Sequence, residues 1–297
     1  MNQFKIGYFA DGQWSHQALA KLTADSSIRI AFICARFDNP DPVLREQAAL
    51  YGIRFLTHEK INSEEFLQLV GEERCDLFVS MSFNQIFRKK LIERPRLQTI
   101  NCHAGKLPYY RGRNILNWAL INGETDFGIT VHLVDEGIDT GDILAQNVLA
   151  ITDEDDYSTL LNRAYEGCAE LLYETVKRLQ NGIVSRTPQK DIHPLGFYCV
   201  GRMNGDEKLN WNSPSRAIFN FVRAICRPGP EARTYLDDVE IRINRVEWLP
   251  TAPVYIGIPG SVVGIEADAF FVKTADSFVR VVEWTGVEKL RIGMRLK

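Results

Sequence analysis

Asn101 and His103 stand two residues apart at the end of a strand-like run, residues 98–103. Side chains alternate along a strand, so these two point to the same side. An imidazole, with an unperturbed pKa of ~6.5, exchanges protons near neutrality, and a primary amide offers N–H donors to an oxygen that gathers charge. Two such groups converging at one strand end make a site for proton transfer. In the segment that follows, Gly105 and Gly112 allow close backbone approach and Pro108 stiffens the turn between them. Residues 134–142 (Val-Asp-Glu-Gly-Ile-Asp-Thr-Gly-Asp) form a carboxylate-rich loop between two strand-like runs. Each residue taken singly has an ordinary structural reading: a strand-end histidine packs, an asparagine caps, and Asp135 and Asp142 form turns.

The surrounding chain alternates strand-like and helix-like segments. Apolar runs at 4–9, 28–34, 53–56 and 76–81 read as strands, with helical spacing at 14–22, 42–51 and 64–72. That alternation predicts an α/β fold: a mostly parallel, Rossmann-like sheet covered by helices, with ligands beyond the C-terminal strand ends near the topological switch point. The clearest helix is 157–180, where Leu160, Leu161, Ala164, Cys168, Leu171, Leu172, Val176 and Leu179 form one stripe and Gly182 stops it. After a loose stretch to about residue 205, Ser213 reads as an N-cap and Pro214 as the first position of a helix through Ile225. Residues 234–249 and 260–292 are short alternating runs, the pattern of a small β-rich, OB-like domain. The expected division is a catalytic domain over 1–205 and a C-terminal domain over 206–297.

Composition excludes several classes. The 297 residues are 45% apolar and 25% charged, the balance of a globular protein. No apolar run reaches the ~18–20 residues of a membrane helix, and the N-terminus from Met1 has no signal-peptide pattern, so no membrane association and a cytoplasmic home are expected. The net charge of −3 lacks the basic footprint of a nucleic-acid binder. Six dispersed cysteines without a C-x-x-C pair argue for free buried thiols and against a zinc site. The turn after the first strand has a single glycine, and G-x-G-x-x-G, P-loop, G-x-S-x-G and H-E-x-x-H motifs are absent.

Together the Asn101-x-His103 pair, the Leu107-Pro108-x-x-Arg111-Gly112 turn and the Asp135–Asp142 loop resemble the formyltransferases that use 10-formyltetrahydrofolate. The resemblance extends over Leu77–Phe87 and 199–235, and so over most of the chain. It implies that Asn101, His103 and Asp139, the last 36 residues beyond the histidine (139 − 103), are catalytic. An amine attacks the formyl carbon; Asn101 donates to the oxyanion, and loss of one such donor typically costs ~3–4 kcal/mol. His103 takes the amine proton and returns it to the leaving folate nitrogen. Asp139 holds the ring and favours its protonated form. The resemblance also implies folate contacts at Gln85, Ile86, Phe87, Arg113, Asp135, Glu136, Gly137 and Ile138, with no metal needed. The residue types alone leave Ile86 and Phe87 equally readable as core.

Three acceptor amines fit this family: an amino sugar on a nucleoside diphosphate, methionyl-tRNA, or glycinamide ribonucleotide. Residues 35–42, Ala-Arg-Phe-Asp-Asn-Pro-Asp-Pro, occupy the place of the long basic loop of the tRNA enzymes, and here they are short and acidic. Nucleic acid is therefore not expected as a partner. The C-terminal extension argues against the purine precursor. Residues 110–124 and Asp38-Asn39-Pro40 resemble the sugar-nucleotide N-formyltransferases of surface-polysaccharide synthesis, which makes an amino sugar the expected acceptor and methionyl-tRNA the alternative. Lys106, Arg111, Arg202 and Lys208 are candidate cations for a pyrophosphate, and Trp14, Tyr109 and Tyr198 candidate stacking residues. Related enzymes suggest a homodimer.

Overall fold

The computed structural model describes residues 3–297. The reading of the N-terminus at Met1 and Asn2 lies outside them. In chain order the elements are β1 (Phe4–Ala10), α1 (Gln13–Ala24), β2 (Ile28–Ala35), α2 (Pro42–Tyr51), β3 (Arg54–Thr57), α3 (Glu64–Gly71), β4 (Leu77–Met81), α4 (Lys89–Ile92) and β5 (Thr99–His103). Then come β6 (Arg111–Gly112), α5 (Ile115–Ile121), β7 (Asp126–Leu133), β8 (Ile143–Ala150), α6 (Tyr157–Gln180), α7 (Gln189–Ile192), β9 (Tyr198–Cys199) and α8 (Ser215–Ile225). The chain closes with β10 (Ala232–Leu236), β11 (Val239–Trp248), β12 (Val262–Ile265), β13 (Phe270–Lys273) and β14 (Phe278–Thr285).

Two compact units emerge. The first comprises the chain through Gly112, Phe127–Leu149 and Asn162–Tyr198; the second comprises Arg113–Asp126, Ala150–Leu161 and Cys199–Lys297. The first is built on a seven-stranded sheet in the order β3-β2-β1-β4-β5-β7-β8. The pairs β1–β2, β1–β4, β2–β3 and β4–β5 are parallel, and β5–β7 is antiparallel. The mostly parallel α/β sheet is therefore as the alternation predicted. Strand order reverses between β1 and β4, so β4 and β5 deliver their C-terminal ends to the crevice where such sheets bind ligands. One face is filled by phenylalanines: Phe9 meets Phe32, Phe78 and Phe87 edge-on at centroid distances of 5.5, 5.3 and 4.9 Å. Edge-to-face contact is the arrangement the ring quadrupole favours.

α6 has the predicted bounds. Gly182 takes φ +75°, and the Gly182 and Ile183 N–H groups return to Leu179 and Arg178, closing the helix. The second unit carries a five-stranded antiparallel sheet, β10-β11-β14-β13-β12, in the region expected to be β-rich. Ile218, Val222 and Ile225 give α8 a buried stripe at helical spacing. The start of α8 differs from the expectation. Pro214 is the flanking residue, extended at φ −59° and ψ 153°, and the Ser213 side chain does not cap. The cap comes instead from Asp276, whose Oδ1 accepts the Ser215 N–H at 2.7 Å. A carboxylate at a helix N-terminus satisfies an orphan donor and suits the helix dipole, and here it is supplied from 61 residues away.

No helix among the described residues is long and apolar enough to cross a membrane. All six cysteines are free, and five are buried.

Candidate active site

The predicted Asn101/His103 pair sits on β5, and β7 runs antiparallel beside it. The register places Asn101 opposite His132 and His103 opposite Thr130. Beyond β7, residues 134–142 turn back to β8 and bring Asp139 under both histidines. His103 Nδ1 lies 3.7 Å from Asp139 Oδ2, and His132 Nε2 lies 3.5 Å from Asp139 Oδ1. Asn101 Nδ2 is 3.2 Å from His132 Nε2. Asp139, 36 residues past His103, thus meets the two β5 side chains, with a fourth, His132, linking them.

The proton positions follow from the acceptors. His103 Nε2 is 2.7 Å from the Tyr110 carbonyl, which only accepts, so Nε2 carries a proton and Nδ1 is left to gain or lose one. His132 Nδ1 likewise donates to the Leu133 carbonyl at 2.7 Å. In its neutral form His132 accepts at Nε2 from one Asn101 amide N–H, leaving the second N–H for another oxygen; in its protonated form Nε2 faces Asp139 as a charged donor. Burial pushes the Asp139 carboxyl upward. The positive charge of His103, the hydrogen bond and charge of His132, and the Gly112 N–H at 2.9 Å outweigh it, so Asp139 stays ionised well below the usual carboxylate range.

Close backbone approach makes this geometry. A Cβ on Gly105 would lie 2.4 Å from His103 Nε2 and 2.5 Å from the Tyr110 oxygen, so only glycine permits that hydrogen bond. Asp139 itself takes the left-handed conformation, φ +54°, which is uncommon outside glycine and is found where surroundings enforce it. The enforcement is visible. Gln189 Nε2 donates to the Asp139 and Gly141 carbonyls, each at 2.8 Å. Its Oε1 accepts from Arg111 Nε at 3.0 Å and Nη2 at 2.7 Å, and Arg111 Nη1 reaches the Leu195 carbonyl at 3.0 Å. Arg111 and Gln189 are both buried.

The other predicted residues have mixed placements. Gln85 spends its side chain within the fold, donating to His58 O at 2.8 Å and accepting the Ile61 N–H at 3.2 Å. Phe87 is buried in the aromatic cluster, while Ile86 is exposed. Asp135 behaves as a turn former, its Oδ1 accepting from Gly137 N and Thr140 Oγ1; Glu136, Gly137 and Ile138 are exposed beside it. Arg113 opens the second unit, exposed, with its N–H on Cys199 O at 3.1 Å. Among the candidate cations, Arg111 is committed to Gln189, Lys208 is exposed and Arg202 lines a cavity of the second unit. Trp14 packs on Tyr165 at 4.6 Å, Tyr109 on His193 at 5.5 Å, and Tyr198 faces the Arg111 guanidinium at 5.4 Å.

Sequence reasoning missed His132 and Gln189. For His132 a signal existed: it lies in the strand-like run before the acidic loop, at the alternation position facing the same side as Thr130. For Gln189, in an irregular stretch 50 residues past Asp139, there was none.

Comparison with known proteins identifies the family. The family model described as formyl transferase matches residues 10–176, and the one described as formyl transferase, C-terminal domain, matches residues 203–294. The methionyl-tRNA formyltransferase of Thermodesulfovibrio yellowstonii is 35% identical over 208 residues, 70% of this chain and 66% of that protein, just under two thirds of its length. That of Caldanaerobacter subterraneus subsp. tengcongensis is 33% identical over 256 residues, 85% of this chain and 80% of that protein. Among solved structures, WlaRD, a sugar 3N-formyl transferase crystallised with dTDP and 5-N-formyl-THF, superposes with a TM-score of 0.72 at 19% identity, covering 98% of this chain and 100% of that one. The two domain matches together take in most of the sequence, and the chain belongs to the formyl transferase family, enzymes that transfer formyl groups.

Proposed function

We propose that this chain moves a formyl group from 10-formyltetrahydrofolate to a primary amine, with Asn101, His103 and Asp139 doing the chemistry. The observation that carries the reading is the convergence of the three around His132, with Nδ1 of His103 3.7 Å from an ionised Asp139. As the amine attacks, a C–N bond forms and the formyl oxygen becomes an oxyanion, which the second N–H of Asn101 stabilises. His103 accepts the ammonium proton at Nδ1, and Asp139 offsets the resulting imidazolium charge. The proton then passes to N10 of the folate as the old C–N bond breaks. Main-chain groups at 85–87 and 135–138 hold the folate in this reading, because the Gln85, Phe87 and Asp135 side chains are already spent within the fold. Arg113 is retained as a folate contact on the resemblance alone. Residues 1–205 are proposed to carry catalysis and 206–297 to form an accessory domain.

Methionyl-tRNA is the acceptor that the comparisons support best, because relatives at 30–35% identity bear that name. This reverses the ranking drawn from the sequence's charge pattern. A nucleotide-linked amino sugar is the second reading, and one observation favours it. The connection between β2 and α2 is only residues 36–41, and its single base, Arg36, is tied to Asp38 at 2.7 Å and to Asp11 at 3.4 Å. A cation already paired twice offers little to RNA phosphates.

The deciding experiment supplies 10-formyltetrahydrofolate with methionyl-tRNA or with a panel of UDP-, dTDP- and GDP-linked amino sugars. Formylation of methionyl-tRNA establishes the first reading, and formylation of a sugar alone establishes the second. No product from either removes both.

A further inference from the structure

Two loops at the C-terminal edge of the first unit's sheet are stitched together by side-chain amides. Residues 58–62 follow β3 and residues 82–88 follow β4. Asn62 Nδ2 donates to the Ile86 carbonyl and Asn62 Oδ1 accepts the Arg88 N–H, each at 2.8 Å. Gln85 answers from the other loop, donating to the His58 carbonyl at 2.8 Å and accepting the Ile61 N–H at 3.2 Å. The local sequence fixes Asn62 in place. Ile61 before it is buried in the phenylalanine cluster, and Ser63 after it caps α3, its Oγ accepting the Phe66 N–H at 3.3 Å.

The two bonds of Asn62 fall on the two peptide units that flank Phe87, copying the way a neighbouring parallel strand would pair. Both units are trans, and a trans peptide turns its C=O and its N–H to opposite sides. Holding the Ile86 carbonyl and the Arg88 N–H toward Asn62 therefore turns the Phe87 N–H and the Phe87 carbonyl away from it. Those two groups have no hydrogen-bond partner among the described residues. Phe87 itself is buried, its ring 4.9 Å from that of Phe9. Main-chain donors and acceptors in buried residues are nearly always paired, so this pair calls for a partner.

We infer that Asn62 is a positioning residue for the formyl donor: by clamping residues 86 and 88 it aims the Phe87 N–H and carbonyl at the edge of the folate ring system. One donor beside one acceptor is matched there by the ring nitrogens, amino group and carbonyl of the folate head. This role rests on the reading above in which main chain at 85–87 holds the folate, and it adds the side chain that sets the direction of that main chain. Asn62 stands outside the Asn101, His103, His132 and Asp139 network, so its contribution is to donor affinity and not to the chemical step. Asn62 is exposed, and water competes for its two bonds, which keeps the effect of losing them modest.

Isothermal titration of the whole chain with 5-formyltetrahydrofolate, an isomer of the donor, tests it, together with steady-state kinetics on whichever amine the wild type accepts. Asn62→Ala is expected to weaken 5-formyltetrahydrofolate by about tenfold and to raise the KM for 10-formyltetrahydrofolate by a similar factor. Its kcat should stay within about threefold of wild type and its KM for the amine should not move. Asn62→Asp keeps the acceptor for the Arg88 N–H but sets a carboxylate against the Ile86 carbonyl, so it should weaken the folate at least as much. Circular dichroism checks the fold, and Asn62→Asp decides the matter if Asn62→Ala does not fold. Wild type that binds the folate while a folded variant binds it equally well overturns the role of Asn62 and leaves the folate reading standing. A fall in kcat with both KM values unchanged also overturns it. Wild type that binds no folate removes the reading itself, and this role with it.

Discussion

His103 Nε2 lies 2.7 Å from the carbonyl oxygen of Tyr110. The backbone thereby chooses the tautomer: the proton sits on Nε2, and Nδ1, toward Asp139, is the atom that exchanges protons. ¹⁵N NMR of labelled histidine should show the neutral His103 ring protonated at Nε2. A neutral ring protonated at Nδ1 contradicts the assignment.

That contact depends on Gly105. A methyl group there would sit 2.4 Å from His103 Nε2 and 2.5 Å from the Tyr110 oxygen, so Gly105→Ala must push the ring off its carbonyl. Turnover should fall by roughly 10²-fold, the scale of a misplaced catalytic group, with a smaller change in KM. Steady-state kinetics check it, and unchanged kcat speaks against a required Nε2 hydrogen bond.

Asp139 predicts a pH dependence of stability. Its folded pKa is depressed, so its contribution is fully present above the unfolded value of ~3.9 and is lost as pH falls toward the folded one. Asp139→Asn lacks that contribution at every pH. Thermal melts should therefore show the largest gap between wild type and variant at pH 5–7 (a range of roughly two units above the unfolded value) and a narrowing gap below about pH 4. A gap that widens on acidification contradicts the sign.

Gln189 ties the Asp139 loop to the buried Arg111 guanidinium through four hydrogen bonds. Gln189→Ala strips the Asp139 and Gly141 carbonyls of this donor and leaves the buried Arg111 guanidinium with the Leu195 carbonyl as its remaining hydrogen-bond acceptor, a loss of about 2–4 kcal/mol. Chemical denaturation measures it. Activity should fall as well, because Asp139 loses the clamp that holds its left-handed backbone. A variant with wild-type stability shows that the loop is held by other means.

What the sequence disclosed and what it hid follow a physical division. α6 was readable from its apolar stripe and from Gly182, because helix periodicity and C-capping are local. The shared side of Asn101 and His103 followed from strand alternation, and Asp139 from its spacing in a family pattern. The Gln189 clamp, the Asp276 cap on α8 and the linking position of His132 are contacts made across 50, 61 and 31 residues. No local pattern encodes them. The side chains of Gln85 and Asp135 show the converse: residues in suggestive positions were claimed by their immediate surroundings.

The most direct measurement is the rate of formyl transfer from 10-formyltetrahydrofolate by wild type and by His103→Ala, on whichever amine the wild type accepts, with folding checked by circular dichroism. Removing the proton-transfer group should lower kcat/KM by about 10²–10⁴-fold while the fold persists. A folded His103→Ala chain that formylates the amine at the wild-type rate contradicts the account.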